Sequence, residues 1–231
     1  MIAVMMAILN FDPQSLAIHS YADETALPSS KMTLEFLRQR FQLELSWSPE
    51  NTGESSLYRG MDFKPASVLL PLLVREQGLQ VLLTQRAAHL HHHGGQISFP
   101  GGRVDASDTS VEHTALREAQ EEVGLMESQI EVLGRLPEYL TGTGFLVAPV
   151  VALVHPPYEF RSDPFEVASI FEVPLSFLMN PQHHQRRQFD FPDGRGLRSF
   201  YAIPYQEYFI WGATAGMLRN LFHFLRADLP D

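Results

Sequence analysis

Apolar residues fall into two kinds of run along this chain. ASVLLPLLV (66–74) and LQVLLTQRA (79–87) are rich in branched residues and separated by the polar REQG, which predicts a β-hairpin. QISF, IEVLGRL, FLVAPVVALV and RSFYAIPY are further strand candidates. Helical spacing appears first in KMTLEFLRQRFQ, where Met32, Phe36 and Leu37 share one face. It returns over 110–123, 174–179 and 212–226, the last with Leu218, Leu221, Phe222 and Leu225 in a stripe. Strands mixed with a few helices predict an α/β fold, a mixed sheet with helices packed on its faces. NTGESSLYRG reads as a loop, as does the polar stretch 180–196. Residues 1–30 read as an N-terminal arm and 31–231 as a single domain with N- and C-terminal helices.

Composition narrows the chemistry. A formal charge of −10 excludes the broad basic face expected of a nucleic-acid or anionic-membrane binder. The absence of cysteine excludes disulfides, thiolate zinc sites and thiol nucleophiles. The apolar start MIAVMMAILNF lacks a preceding basic residue and is shorter than a membrane span, so a cytoplasmic protein is the expectation.

The segment GGRVDASDTSVEHTALREAQEEVGL carries the informative carboxylates. Thr109 with Glu112 predicts a capping box at the start of a helix, and Gly124 suits its end. Ala115, Leu116, Ala119 and Val123 would face a core, whereas Glu118, Glu121 and Glu122 share another face. Like charges at this spacing repel, near the negative end of the helix dipole, and each effect costs a few tenths to about 1 kcal/mol. A divalent cation would reverse both. A solvated acidic face with an Arg117–Glu121 pair is the alternative, and the helix alone does not separate the two. The upstream Phe99-Pro100-Gly101-Gly102 lets backbone approach a ligand closely. A glycine loop feeding a helix with three carboxylates suits metal-assisted hydrolysis of a phosphoanhydride.

These residues resemble a Nudix box, G-x5-E-x7-R-E-U-x-E-E-x-G-U. Arg117 to Leu125, REAQEEVGL, matches its second half. In the first half the five-residue spacer after Gly102 leads to Asp108 rather than glutamate, and one extra residue follows. Upstream, LLTQRAAHLHHHGGQISFPGG is similar to the signature of the coenzyme A-directed branch. Leu82, Leu83, Thr84, Arg86, Ala87, Gly95 and Phe99 to Gly102 match at the right spacing, and His91 replaces an arginine. The resemblance covers roughly residues 66–175, the core of the domain, and the C-terminal YFIWGATAGMLRNL also resembles that branch.

The resemblance implies a Nudix α/β/α sandwich that cleaves a diphosphate linkage with Mg2+ or Mn2+. For the coenzyme A branch the products would be 4′-phosphopantetheine and 3′,5′-ADP. Glu118 and Glu122 would be the principal metal ligands, Glu121 a third ligand or a polariser of the water, and the Gly102 carbonyl a further ligand. Arg117 would orient the carboxylates. Arg86, His91, Gly101, Gly102 and Arg103 would meet the substrate. Glu166 is the favoured general base, with Glu172 and Glu138 as alternatives. The implied partner is a small nucleotide, CoA-like, and a homodimer stays open as the assembly.

The histidines His89, His91, His92 and His93 suggest a metal site at first sight. Adjacent residues in an extended segment point to alternate faces, and the nearby carboxylates suit hard cations better than imidazoles do. They read instead as a substrate-facing loop, where a histidine is mostly uncharged at neutral pH. Two other functions compete: hydrolysis of another nucleoside diphosphate derivative (ADP-ribose, NADH or a dinucleoside polyphosphate), and a non-catalytic ligand sensor. Intact glutamates in the box disfavour the sensor.

Overall fold

A computed structural model describes residues 12–50, 62–89, 94–190 and 196–227. The reading of 51–60 as a loop, the apolar start 1–11 and His91 to His93 lie outside the described residues. Two sheets form among the described residues. The larger contains β2 (Lys64–Arg75), β3 (Gly78–Arg86), β4 (Ile97–Ser98), β5 (Gly101–Arg103), β6 (Ile130–Arg135), β7 (Tyr139–Leu140), β8 (Phe145–Val154) and β9 (Val167–Pro174). Its main path runs β4-β3-β2-β8-β6, with β5 on β2, β7 on β8 and β9 on β3. β2 and β8 pair in parallel and the remaining ladders are antiparallel, so the sheet is mixed. The predicted hairpin is present, with Arg75 opposite Gly78.

β2 is buried on both faces, which its unbroken apolar run requires. On one face Leu69 and Leu73 pack with Leu82, Val150 and Val154 beneath Ala115, Ala119 and Val123 of the helix Val111–Val123, here α2. Small residues on that helix bring it close to the sheet. The other face contributes Leu70 and Leu72 to a core shared with Leu218, Leu221, Phe222 and Leu225 of the helix Ala213–Arg226, α4. Each such leucine contributes about 1.5–3 kcal/mol of burial. Helices on both faces of a mixed sheet give the expected α/β/α layering. Two shorter α-helices also stand among the described residues: α1 (Leu34–Phe41), capped by Thr33 and inserting Leu37, and α3 (Leu175–Leu178).

α4 is buried almost all round, because a second sheet covers its outer side. This sheet has order β1-β10-β11-β12, from β1 (Ile18–Tyr21), β10 (Gln185–Asp190), β11 (Leu197–Tyr205) and β12 (Tyr208–Trp211). β10 corrects the expectation of a polar loop across 180–196. Its charges hid a strand: buried Arg187 donates to the carbonyls of Pro13, Gln14 and Leu16 and lies over the Phe209 ring. Those partners are distant in sequence, so no local pattern announces them. The same contacts tie residues 13–21 into the sheet through β1. Among the described residues no helix is long and apolar enough to cross a membrane.

Candidate active site

The turn between β4 and α2 packs tightly. Leu69 N–H donates to the Pro100 carbonyl at 2.8 Å, and β5 pairs with β2 so that Gly101 faces Val68 and Gly102 faces Ser67. A Cβ on Gly101 would strike the Ser67 carbonyl and the Val68 backbone. A Cβ on Gly102 would fall on the Glu118 carboxylate. The two glycines therefore differ in purpose: one admits a strand, the other a carboxylate. The sequence suggested a loop here, and the glycines lie instead in a three-residue strand.

α2 starts one residue later than the capping-box reading placed it. Ser110, not Thr109, is the N-cap, accepting from His113 N–H, while Thr109 N–H donates to the His113 ring. The Ser hydroxyl can meet the free amide only from the extended backbone found at Ser110. Gly124 ends the helix in the left-handed conformation, φ 75°, as its position predicted.

The three glutamates of α2 sit in different surroundings. Side-chain exposure is 59% for Glu121, 16% for Glu118 and 5% for Glu122. Arg117 links the first two, its Nη1 lying 2.9 Å from Glu118 and 3.1 Å from Glu121. Its Nε and Nη2 donate to Asp108 at 3.0 and 2.9 Å, and Nη2 also reaches the Arg103 carbonyl at 3.3 Å. Every N–H of this guanidinium fork thus faces an oxygen. Asp108, whose side chain is fully covered, also accepts from Thr114 Oγ1 at 2.8 Å, and its carboxyl is held well below the usual range chiefly by Arg117.

Glu122 is the most buried of the three helix glutamates. Gly101 N–H donates to it at 3.2 Å, and Arg86 Nη1 stands 3.7 Å away. Burial pushes its carboxyl up to about 8, against the pull of Gly101 and Arg86 and with the added push of the Glu118 and Glu166 charges. Burial also raises Glu118, where Arg117 opposes the shift and Glu121 and Glu166 reinforce it. Two desolvated carboxylates that repel each other fit a hard divalent cation, which takes oxygen donors and would favour their charged forms. Among the described residues no three His, Asp or Glu groups are gathered at ligating distance. The arginines and the Gly101 amide occupy the carboxylates instead.

The remaining candidates divide. Glu166 is near enough for its charge to act on both Glu118 and Glu122. Its backbone is fixed from two sides, its carbonyl accepting from Ala87 N–H at 2.8 Å and its N–H donating to Asp163 at 3.1 Å. Asp163 N–H in turn donates to the Glu122 carbonyl at 3.0 Å, strapping this loop to the end of α2. Glu172 is engaged elsewhere, in a two-point pair with Arg75 at 2.5 and 3.1 Å. Glu138 is exposed on the connection after β6. Arg103 places its guanidinium over the Phe145 ring, 5.2 Å from the centroid, and presents only its carbonyl to Arg117. His89 forms an edge contact with Phe165, centroids 5.1 Å apart. Asp163 and Phe165 went unnoticed in the sequence, where neither belongs to a spacing pattern. A groove of about 680 Å3 behind the strap touches the acidic face only through Glu121.

An α/β/α sandwich with an Arg-Glu-x2-Glu-Glu helix after a glycine turn belongs with enzymes that hydrolyse phosphoric anhydrides. The chain is a member of the Nudix family, whose domain model matches residues 64–190. The uncharacterized Nudix hydrolase NudL of Citrobacter koseri is 40% identical over 196 residues, covering 84% of this chain and 96% of that protein. NudL of Salmonella typhimurium is 40% identical over 201 residues, with the same shares covered. Among solved structures, the Nudix hydrolase RenU of M. smegmatis is 26% identical with a TM-score of 0.43, covering 52% of this chain and 76% of that one. The protein is a hydrolase of a family that uses divalent metal ions.

Proposed function

We propose that this Nudix hydrolase cleaves the diphosphate of coenzyme A or its acyl derivatives, giving 4′-phosphopantetheine, or its acyl form, and 3′,5′-ADP. The observation that carries the reading is the position of Arg86. This residue belongs to the upstream signature LLTQRA, and its guanidinium stands 3.7 Å from Glu122 on the acidic helix. The coenzyme A-directed pattern and the metal-binding pattern therefore converge at one point.

Glu118 and Glu122 are the principal ligands in this reading, with Glu121 and the Gly102 carbonyl beside them. Mg2+ or Mn2+ held there would supply Lewis-acid polarisation of the phosphoryl oxygens and activation of the attacking water. Arg117, fixed by Asp108, orients Glu118 and Glu121. Glu166 takes the proton of the attacking water. The water oxygen bonds to one phosphorus, and the bridging oxygen leaves with the other phosphate. Arg86, 3.7 Å from Glu122, would pair with a substrate phosphate oxygen. Gly101 and Arg103 would meet the substrate beside it, and His91 is assigned to the substrate from its place in the signature alone.

The test supplies purified protein and Mg2+ or Mn2+ with coenzyme A, acyl-CoA, ADP-ribose and NADH, and reads products by mass spectrometry. Release of 3′,5′-ADP is expected from coenzyme A. Turnover of ADP-ribose or NADH with none from any CoA species overturns the substrate assignment.

A further inference from the structure

Phe165 is the most exposed large hydrophobic side chain among the described residues, at 67%. A phenyl ring left in water at this level forgoes most of its burial energy, and nothing in the packing requires it there. Its place is tightly specified, however. Phe165 N–H donates to Asp163 Oδ1 at 2.8 Å, and Glu166 and Val167 N–H both donate to the Asp163 carbonyl. Asp163 is hydrogen-bonded to the backbone of Glu122, and Glu166 to that of Ala87. The backbone that carries the ring is thus fixed immediately beside the proposed base and one link from the buried carboxylate.

Across from it stands His89, which arrives from the end of β3, three residues past Arg86. The two rings meet at 62° with centroids 5.1 Å apart. They make a corner with one flat apolar face and one edge bearing ring nitrogens. A flexible chain gains little from such a shape. A planar heteroaromatic ring gains face-to-face contact with Phe165 and a hydrogen-bonding neighbour in His89.

We infer that Phe165 and His89 form a stacking platform for the nucleobase of the substrate, holding it while the diphosphate lies over Glu118 and Glu122. This inference rests on the diphosphatase reading for its catalytic consequence and is separable from it in binding. It also gives the first histidine of HLHHH a role that involves no metal.

The test replaces Phe165 by Trp, Tyr or Ala in the full chain. Titrating Phe165→Trp with 3′,5′-ADP should quench its emission saturably, beyond any change in the wild-type protein, while ribose 5-phosphate should not. Phe165→Ala should raise KM for the cleaved nucleotide about tenfold, more than it lowers kcat, and Phe165→Tyr should restore it. An unchanged KM in Phe165→Ala overturns the platform. So does quenching by ribose 5-phosphate, or by 4′-phosphopantetheine in place of 3′,5′-ADP. The quenching assay needs no turnover, so loss of the diphosphatase reading leaves it intact. Conversely, hydrolysis of coenzyme A with no quenching overturns the platform alone.

Discussion

Asp108 accepts two parallel hydrogen bonds from Arg117, at 3.0 Å from Nε and 2.9 Å from Nη2, with its own side chain wholly covered. This pairing accounts for the irregular first half of the box. An aspartate one methylene short of the usual glutamate, on a loop one residue longer, still delivers its carboxylate to the arginine. It fixes Arg117 so that the remaining nitrogen reaches Glu118 and Glu121. Asp108→Asn removes the charge and half of the two-point geometry. Activity should fall about 10–100-fold, the usual loss when a group that orients ligands is removed. Asp108→Glu should recover part of it, measured as kcat/KM beside a thermal melt that shows both variants folded.

Glu122→Gln keeps the volume of a buried side chain and removes the charge that burial disfavours. The variant should melt no lower than the wild type in EDTA, and activity with Mg2+ should fall more than about 100-fold. Mg2+ at 100 times its Kd stabilises the folded wild type by about 2.7 kcal/mol through mass action, and this shift should vanish in the variant. A preserved Mg2+ shift in Tm would remove Glu122 from the ligand set.

The adjacent glycines should respond differently to the same methyl group. In Gly101→Ala the new Cβ meets backbone of Ser67 and Val68, which moves only if the β2–β5 ladder moves. Stability should fall by about 1–3 kcal/mol. In Gly102→Ala it meets the end of the Glu118 side chain, which can swing aside. That variant should melt close to wild type and lose activity about 10–100-fold, since a proposed metal ligand is displaced. Denaturant melts and kcat/KM on both proteins separate the two outcomes.

Much of this arrangement was legible in the sequence because its signals are periodic. β2, β3 and β8 are long branched runs, α4 shows an apolar stripe, and α2 carries both its acidic face and its terminal glycine. The small sheet was hidden because its specification is not local. β10 is held by Arg187 reaching carbonyls some 170 positions away, and a charged strand of this kind reads as a loop. The spacing of Glu118, Glu121 and Glu122 put them on one face, yet their exposures differ more than tenfold between Glu121 and Glu122. That difference comes from the β5 turn lying over one side of the helix, which spacing along α2 does not record. Asp163 and Phe165 were missed for the same reason: a strap is defined by what it is tied to.

Three carboxylates outside the box compete as the base, and the fold distinguishes them. Glu172 is held by Arg75, and this partly exposed pair contributes about 0–1 kcal/mol. Glu172→Gln should therefore change stability slightly and kcat by less than about twofold. Glu166→Gln should lower kcat about 10²–10⁴-fold and remove the acidic limb of the pH–rate profile. A Glu166→Gln enzyme that keeps the wild-type profile would return the role to Glu138 or to the box itself.

Away from the site, Glu50 gives the fold a measurable pH dependence. It faces Arg219, Tyr201 and Arg186, and His223 lies 2.7 Å away. Burial acts to raise its carboxyl, but hydrogen bonds with His223, Tyr201 and Arg219 and the Arg219 charge outweigh it. The net effect moves the group from 4.5 to about 2. The folded state therefore binds this proton less readily than the unfolded chain does. The resulting stabilisation is full above pH 4.5 and is lost as pH falls towards 2. At neutral pH it amounts to about 3 kcal/mol, since each tenfold loss of proton affinity on folding corresponds to about 1.4 kcal/mol. Glu50→Gln should lower the urea midpoint at pH 7, and the gap to the wild type should narrow as pH falls from 4.5 towards 2. A gap between the two proteins that stays constant from pH 7 to pH 2.5 would mean that Glu50 acts through packing alone. Arg219, almost fully buried, would then depend on Glu24 for its charge balance, with its Nη2 2.6 Å from that carboxylate.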